Sequence, residues 1–177
     1  ALDEYVGVAP ADPASFSFFL YRNLLGQVDF APHNIHLIDA LALDVNAECA
    51  RYERRIAACG GIDLLILGLG QNGHIGFNEP GTSFVQGVHR VGLTQATIAA
   101  NARHFADPSQ VPRFAISLGI RNILEAKKIL LLVSGKNKSE ALRLALCGSV
   151  DPRVPASVLQ THPDVTLVAD HEAASLL

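Results

Sequence analysis

The sequence predicts an α/β fold: an open, mostly parallel sheet with helices on both faces, of the Rossmann-like kind. Two predicted strands, residues 62–67 and 128–133, are continuous apolar runs, as expected of parallel strands that are buried on both faces. Strand patterns alternate with helix patterns along the chain, which is typical of a parallel sheet. No linker or internal repeat divides the 177 residues, so we expect residues 1–177 to form a single domain.

In the first half of the chain, residues 3–13 carry Gly7 and two prolines and are expected to form a loop. Apolar side chains at helical spacing predict a helix from residue 13 to 25, ended by Gly26. Residues 34–38 resemble a short strand. Asn46 is the expected N-cap of a helix that reaches Ala58.

In the second half, residues 82–110 are polar and weakly periodic, and we expect a mobile segment over a site. Strand and helix patterns then alternate again. The predicted strands are residues 114–118, 128–133 and 165–168, and the predicted helices are residues 120–126 and 139–146.

Composition excludes several classes of protein. Hydrophobic residues make up 49% and charged residues 18% of the chain, which argues against disorder. A net charge of −3 gives no basic field for nucleic acid or an anionic membrane. Three cysteines without paired spacing indicate reduced thiols and a cytoplasmic location. No apolar run approaches the roughly 20 residues of a membrane span.

The strongest functional signal is the glycine-rich loop of residues 68–81, which directly follows a predicted strand. Ligands of open parallel sheets bind beyond the carboxyl ends of the strands. His74 and Glu79 supply a titratable imidazole and a carboxylate there, with Asn72 as a polar neighbour. Such a pair can move protons. The alternative is a turn whose histidine only bonds to backbone, but the buried strand and the number of polar groups favour a site.

The glycines of this loop, among them Gly73 and Gly76, let the backbone approach a ligand closely. Pro80 and Gly81 would interrupt the helix that a dinucleotide-binding fingerprint requires. A dinucleotide is therefore not an expected ligand.

Residues 134–138 (Ser-Gly-Lys-Asn-Lys) form the second candidate site, because a helix start can receive an anion. They do not match the nucleotide triphosphate loop, and two solvated lysines remain an alternative. Arg103 suits bidentate phosphate binding, although the local sequence alone favours a surface arginine. No cluster has the spacing of zinc ligands, so we expect no metal.

Three segments together resemble the glucosamine-6-phosphate deaminase family: residues 2–7, residues 67–81 and residues 134–138. The run of residues 77–80 (Phe-Asn-Glu-Pro) points to this branch rather than to the related 6-phosphogluconolactonases. The resemblance implies an enzyme of amino-sugar catabolism. It converts D-glucosamine 6-phosphate and water into D-fructose 6-phosphate and ammonia without a metal or an organic cofactor. A homo-oligomer is left open.

The resemblance also implies roles for single residues. Asp3 matches the general base that acts at C2 and relays the proton to C1. His74 matches the acid/base that opens the sugar ring, Glu79 its supporting carboxylate, and Asn72 a positioning group. The positions that would bind the substrate and its phosphate are Arg103, Lys138, Gly73 and Gly76.

Two other interpretations share this fold, a 6-phosphogluconolactonase-like hydrolase and a non-catalytic sugar-phosphate sensor. Asp3, His74 and Glu79 together favour an enzyme, since a sensor does not need all three. Some family members are activated by N-acetylglucosamine 6-phosphate through an arginine and a lysine. His89 and Val91 stand at those positions here, so we expect no such activation.

The chain departs from the family at its start. Members carry an N-terminal β/α portion with a phosphate-binding loop before the Leu-Asp-Glu-Tyr segment, whereas this chain begins at Ala1 and contains no methionine. We therefore expect a domain that is N-terminally incomplete.

If Ala1 is the start of the protein, the sheet lacks the strands expected beside residues 62–67. An uncovered apolar strand favours aggregation, so we expect the isolated chain to be poorly soluble or oligomeric, with little deaminase activity. Light scattering and ammonia release, measured with and without the family's N-terminal portion, test this. A monodisperse and fully active short chain would contradict it.

Overall fold

A computed structural model describes residues 1–102, 105, 107 and 110–177. The strands are β1 (Asp3–Tyr5), β2 (Leu64–Gly68), β3 (His89–Gly92), β4 (Phe114–Ser117), β5 (Lys128–Val133) and β6 (Val165–Ala169). The α-helices are α1 (Phe16–Leu20), α2 (Val45–Ala58), α3 (Gln95–Asn101), α4 (Ile120–Leu124) and α5 (Ser139–Cys147). A π-helical turn spans Tyr21–Leu25, and the 3-10 turns span Pro32–Asn34, Lys136–Lys138 and Pro155–Thr161.

The chain divides into two compact units. Unit 1 comprises residues 1–55 and 88–117, and unit 2 comprises residues 56–87 and 118–177. Unit 2 contains the parallel sheet that the apolar runs predict, in the order β2-β5-β6. Unit 1 contains an antiparallel sheet in the order β1-β4-β3, which the sequence did not predict. The fold is thus α/β with one parallel and one antiparallel sheet.

One face of the parallel sheet forms the core of unit 2. The buried side chains of β2 and β5 on this face are Leu65, Leu67, Ile129, Leu131 and Val133. The opposite face carries four apolar side chains that are each about half exposed, Leu64, Ile66, Leu132 and Val168. The prediction that these strands are buried on both faces is therefore wrong, because unit 2 buries alternate residues of each strand, as a sheet covered on one face does.

Residues 34–38 do not form the predicted strand. Their carbonyl groups are used by side chains of α2 instead: Arg51 donates to the Leu37 oxygen at 3.2 Å, and the Tyr52 hydroxyl donates to the His36 oxygen at 3.2 Å. The segment is therefore fixed to a helix rather than to a neighbouring strand.

Two helix starts also differ from the sequence prediction. Helix α2 is capped by Asp44 rather than Asn46, since the Asp44 carboxylate accepts from the backbone nitrogens of Asn46 and Ala47 at 2.9 and 3.0 Å. Helix α1 starts at Phe16 rather than near residue 13, because the Ser15 side chain caps it.

The predicted loop and the predicted irregular segment contain regular structure. Residues 3–5 form β1, and the segment 82–110 holds β3 and α3. Strands β1 and β3 both pair with β4, and their own sequences do not mark them as strands. Asp3 of β1 and His89 of β3 both lie opposite Ser117 of β4. None of the helices in the described part of the chain has the length and apolar character needed to span a bilayer.

Candidate active site

The glycine-rich loop follows β2 at its carboxyl end and makes a tight turn. The Gly70 nitrogen donates to the His74 oxygen at 2.8 Å, and the Gly73 nitrogen donates to the Gly70 oxygen at 3.1 Å. A Cβ atom on Gly70 would lie 2.3 Å from the imidazole ring of His74. Glycine is therefore required at position 70 to make room for the histidine ring.

Asn72 lies between His74 and Glu79 and bonds to both. Its Oδ1 atom is 2.7 Å from His74 Nδ1, and its Nδ2 atom donates to Glu79 Oε2 at 2.8 Å. The Nδ1–Oε2 distance between His74 and Glu79 is longer, 3.7 Å. Because an amide oxygen only accepts, Nδ1 carries the ring proton and Nε2 is left as the basic nitrogen. The structure thus brings together the three residues that the sequence places in one loop.

Burial favours the neutral form of the His74 imidazole. Burial is the larger cause that lowers the pKa of His74, and the nearby Lys138 ammonium acts in the same direction, while Glu79 opposes both. Glu79 itself is only 6% exposed. A neutral imidazole with a fixed Nδ1 proton can accept a proton at Nε2 and return it, as general acid–base catalysis requires.

A segment from Pro152 to Ala156 bonds to this loop at two points, near its middle and at its last residue. The Ala156 nitrogen donates to the Gly73 oxygen at 2.9 Å, and the Gly81 nitrogen donates to the Pro152 oxygen at 2.8 Å. The Val154 side chain packs on the Gly73 turn. No sequence motif marks this segment, and its contacts with the loop join residues more than 70 positions apart.

Gly73→Ala is expected to destabilise the protein more than Gly60→Ala does. Both glycines have a positive φ, 84° and 82°, which costs an L-residue roughly 1–2 kcal/mol. A Cβ on Gly73 would also lie 2.7 Å from Val154 Cγ1, whereas one on Gly60 meets nothing within 4 Å. Overpacking adds about 1–3 kcal/mol. Urea unfolding of both variants measures the difference, and equal losses would show that Val154 moves aside freely.

The predicted anion site begins directly after β5. The Lys136–Lys138 turn precedes α5, as predicted, and the Gly135 nitrogen donates to Asp170 Oδ2 at 2.9 Å. Asp170 was not identified from the sequence. Lys138 belongs to unit 2 together with the histidine loop, and its charge acts on His74. Arg103 lies outside the described residues.

Asp3 belongs to unit 1, where it is half-buried in β1. Burial and the adjacent Glu4 carboxylate raise the pKa of Asp3 to about 7, although the Ala1 amino group acts to lower it. A carboxyl group with such a pKa can act as a base near neutral pH.

Glu4, the neighbour of Asp3, is 1% exposed and lies against the start of α1. Its carboxylate accepts from the Ser15 hydroxyl at 2.8 Å and from the backbone nitrogens of Phe16 and Ser17 at 3.1 and 2.8 Å. This contact could not be predicted from the sequence, because it joins residues 11 to 13 positions apart. Glu4 thereby joins β1, which carries Asp3, to α1.

The parallel sheet of unit 2 carries a histidine–amide–carboxylate group in the loop after its first strand, an arrangement that suits acid–base chemistry. Residues 2–168 match the family model described as glucosamine-6-phosphate isomerases/6-phosphogluconolactonase. The chain belongs to this family.

Relatives and solved structures agree with this family. The chain is 48% identical over 176 residues to the glucosamine-6-phosphate deaminase of Thermoanaerobacter pseudethanolicus, covering 99% of this chain and 70% of that protein. It is 51% identical to the enzyme of the same name from Halothermothrix orenii, covering 99% and 73%. A solved structure of a monomeric glucosamine-6-phosphate deaminase superposes with a TM-score of 0.97 at 46% identity, covering 99% and 73%. The 6-phosphogluconolactonase of Thermotoga maritima shares the fold at 22% identity, with a TM-score of 0.73 and coverage of 95% and 70%.

Proposed function

We propose that the chain catalyses the conversion of D-glucosamine 6-phosphate and water into D-fructose 6-phosphate and ammonia. The observation that carries the proposal is the hydrogen-bonded group of His74, Asn72 and Glu79, on a chain about half identical to deaminases. No step of this reaction requires an electron acceptor, so acid–base groups are sufficient for it.

The first step assigned to this site is ring opening. His74 Nε2 is the basic nitrogen of a ring whose orientation Asn72 fixes. It takes the proton of the C1 hydroxyl and returns a proton to the ring oxygen, which gives the open-chain aldehyde. Glu79 stabilises the imidazolium that exists between the two transfers, because its carboxylate is 3.7 Å from the ring.

Isomerisation follows at C1 and C2. In the proposed mechanism Asp3 removes the C2 proton while a proton passes from the substrate ammonium group to the C1 oxygen, which gives an enolamine. Asp3 then delivers its proton to C1, which gives the protonated imine at C2. Water adds to the imine carbon, and ammonia leaves. The pKa of about 7 makes Asp3 able both to accept and to return a proton near neutral pH. Lys138 and Arg103 are the proposed contacts of the phosphate.

Ammonia release tests the proposal. The chain, alone and preceded by the family's N-terminal portion, is incubated with D-glucosamine 6-phosphate, and ammonia and D-fructose 6-phosphate are measured. Equal amounts of both products are expected. Hydrolysis of 6-phosphogluconolactone without ammonia release would instead identify a lactonase, and binding of the sugar phosphate without turnover would identify a sensor.

A further inference from the structure

Asn78 is a buried polar residue to which the mechanism assigns no role. It is 0% exposed, and its side-chain Nδ2 donates to the Ile75 oxygen and to the Leu118 oxygen, at 2.8 Å each. Its backbone nitrogen also donates to the Ile75 oxygen, at 3.2 Å. Both amide protons are therefore used to hold backbone carbonyls of unit 2.

Packing alone does not explain an asparagine at this position. The Oδ1 atom of Asn78 has no hydrogen-bond partner among the described residues. Burying an unpaired acceptor is unfavourable, and an apolar side chain of similar size avoids that cost. The useful part of the side chain is thus its pair of N–H donors.

The two carbonyls that Asn78 joins belong to different segments. Ile75 lies in the loop directly after His74, whereas Leu118 lies two residues before α4. The residue after Asn78 is Glu79, whose carboxylate accepts the Asn72 amide. A displacement of Asn78 therefore moves Glu79, loosens Asn72 and frees the His74 ring.

We infer that Asn78 is a positioning residue, which fixes the backbone between His74 and Glu79 against Leu118 and so keeps the ring proton of His74 on Nδ1. This inference rests on the proposed function for its effect on catalysis. Its effect on the His74 ring does not depend on the substrate. The side chain acts through Asn72 and Glu79 and does not touch the reacting atoms.

The test compares Asn78→Ala with Gln160→Ala. Gln160 is a matched control, since its amide also donates to two backbone carbonyls, those of Ala145 and Gly148. Two readouts are used: the ¹⁵N NMR signals of the His74 ring and steady-state kinetics of ammonia release. We expect Asn78→Ala to give a mixture of ring tautomers and a kcat loss on the order of 10²-fold, with a smaller change in KM. Gln160→Ala should change neither the tautomer nor kcat.

The two readouts separate the possible failures. If the unchanged protein releases no ammonia, the proposed function fails, and the NMR comparison still decides the role of Asn78. An unaltered Nδ1–H tautomer in a folded Asn78→Ala protein would overturn the inference, whatever its kcat. Asn78→Ser, whose hydroxyl retains one donor, should give a smaller loss than alanine. If neither variant folds, Asn78 is a structural residue and the positioning role is rejected.

Discussion

Asp3→Asn is expected to lower kcat by about 10²–10⁴-fold while the affinity for the sugar phosphate changes little. Asparagine has nearly the shape of aspartate and keeps the strand pairing with Ser117, but it cannot take the C2 proton. Initial rates of ammonia release and equilibrium binding of D-glucosamine 6-phosphate measure the two effects. Asp44→Asn makes the same replacement at the cap of α2 and should leave kcat unchanged. An Asp3→Asn protein with more than half the original kcat would exclude Asp3 as the base.

The same substitution has a pH signature. Because the base form of Asp3 appears as pH rises through about 7, kcat/KM should increase across this range, and Asp3→Asn should remove that step. The folded pKa lies above the ordinary value of 3.8. The folded state therefore binds more protons between pH 4 and 7, and the contribution of Asp3 to stability is lost as pH rises through this window. The free energy of unfolding of Asp3→Asn, minus that of the original protein, should therefore be larger at pH 8 than at pH 4.

His74→Gln is the second substitution with a large expected effect, again about 10²–10⁴-fold in kcat on the cyclic substrate. Glutamine can form hydrogen bonds, but it cannot carry a proton between two oxygens. The loss of rate caused by His74→Gln should be smaller on a substrate analogue that lacks the 5-hydroxyl group, because this compound cannot close the pyranose ring. The measurement is kcat/KM for ammonia release from each compound, for His74→Gln and for the original protein.

His162→Gln is the control for this prediction. His162 is a buried histidine of unit 2 that bonds to the Ala126 oxygen and to the Asp164 nitrogen. Its replacement should lower stability without changing the preference between the two compounds. An equal loss on the cyclic compound and the analogue in His74→Gln would remove the ring-opening role.

The sequence predicted the parallel sheet and the loop group because both are local. Apolar runs mark β2 and β5, and Asn72, His74 and Glu79 lie within eight positions of one another. The antiparallel sheet was not predicted, since β1 has three residues and β3 has four, and both depend on β4 for their hydrogen bonds. Short strands carry too few residues to show a period.

The supports of the site were also missed, for the same reason. Val154 and Asn78 act through contacts with residues 40 or more positions away, and neither belongs to a residue type that signals a site by itself. The apolar run of β2 by itself predicted burial on both faces, whereas one face is exposed in this chain. An apolar run shows which side chains are able to be buried, but not what covers them.

The Glu4 carboxylate has a consequence for the order in which unit 1 folds. Helix α1 has only five residues, far fewer than the roughly 12–15 that an isolated helix needs in water. Since Glu4 supplies acceptors for its first backbone nitrogens, α1 becomes stable only once β1 has been placed beside it. A peptide of residues 13–26 should therefore show no helical circular dichroism. In the whole protein, the amide proton of Ser17 should exchange with solvent at the same rate as those of β1.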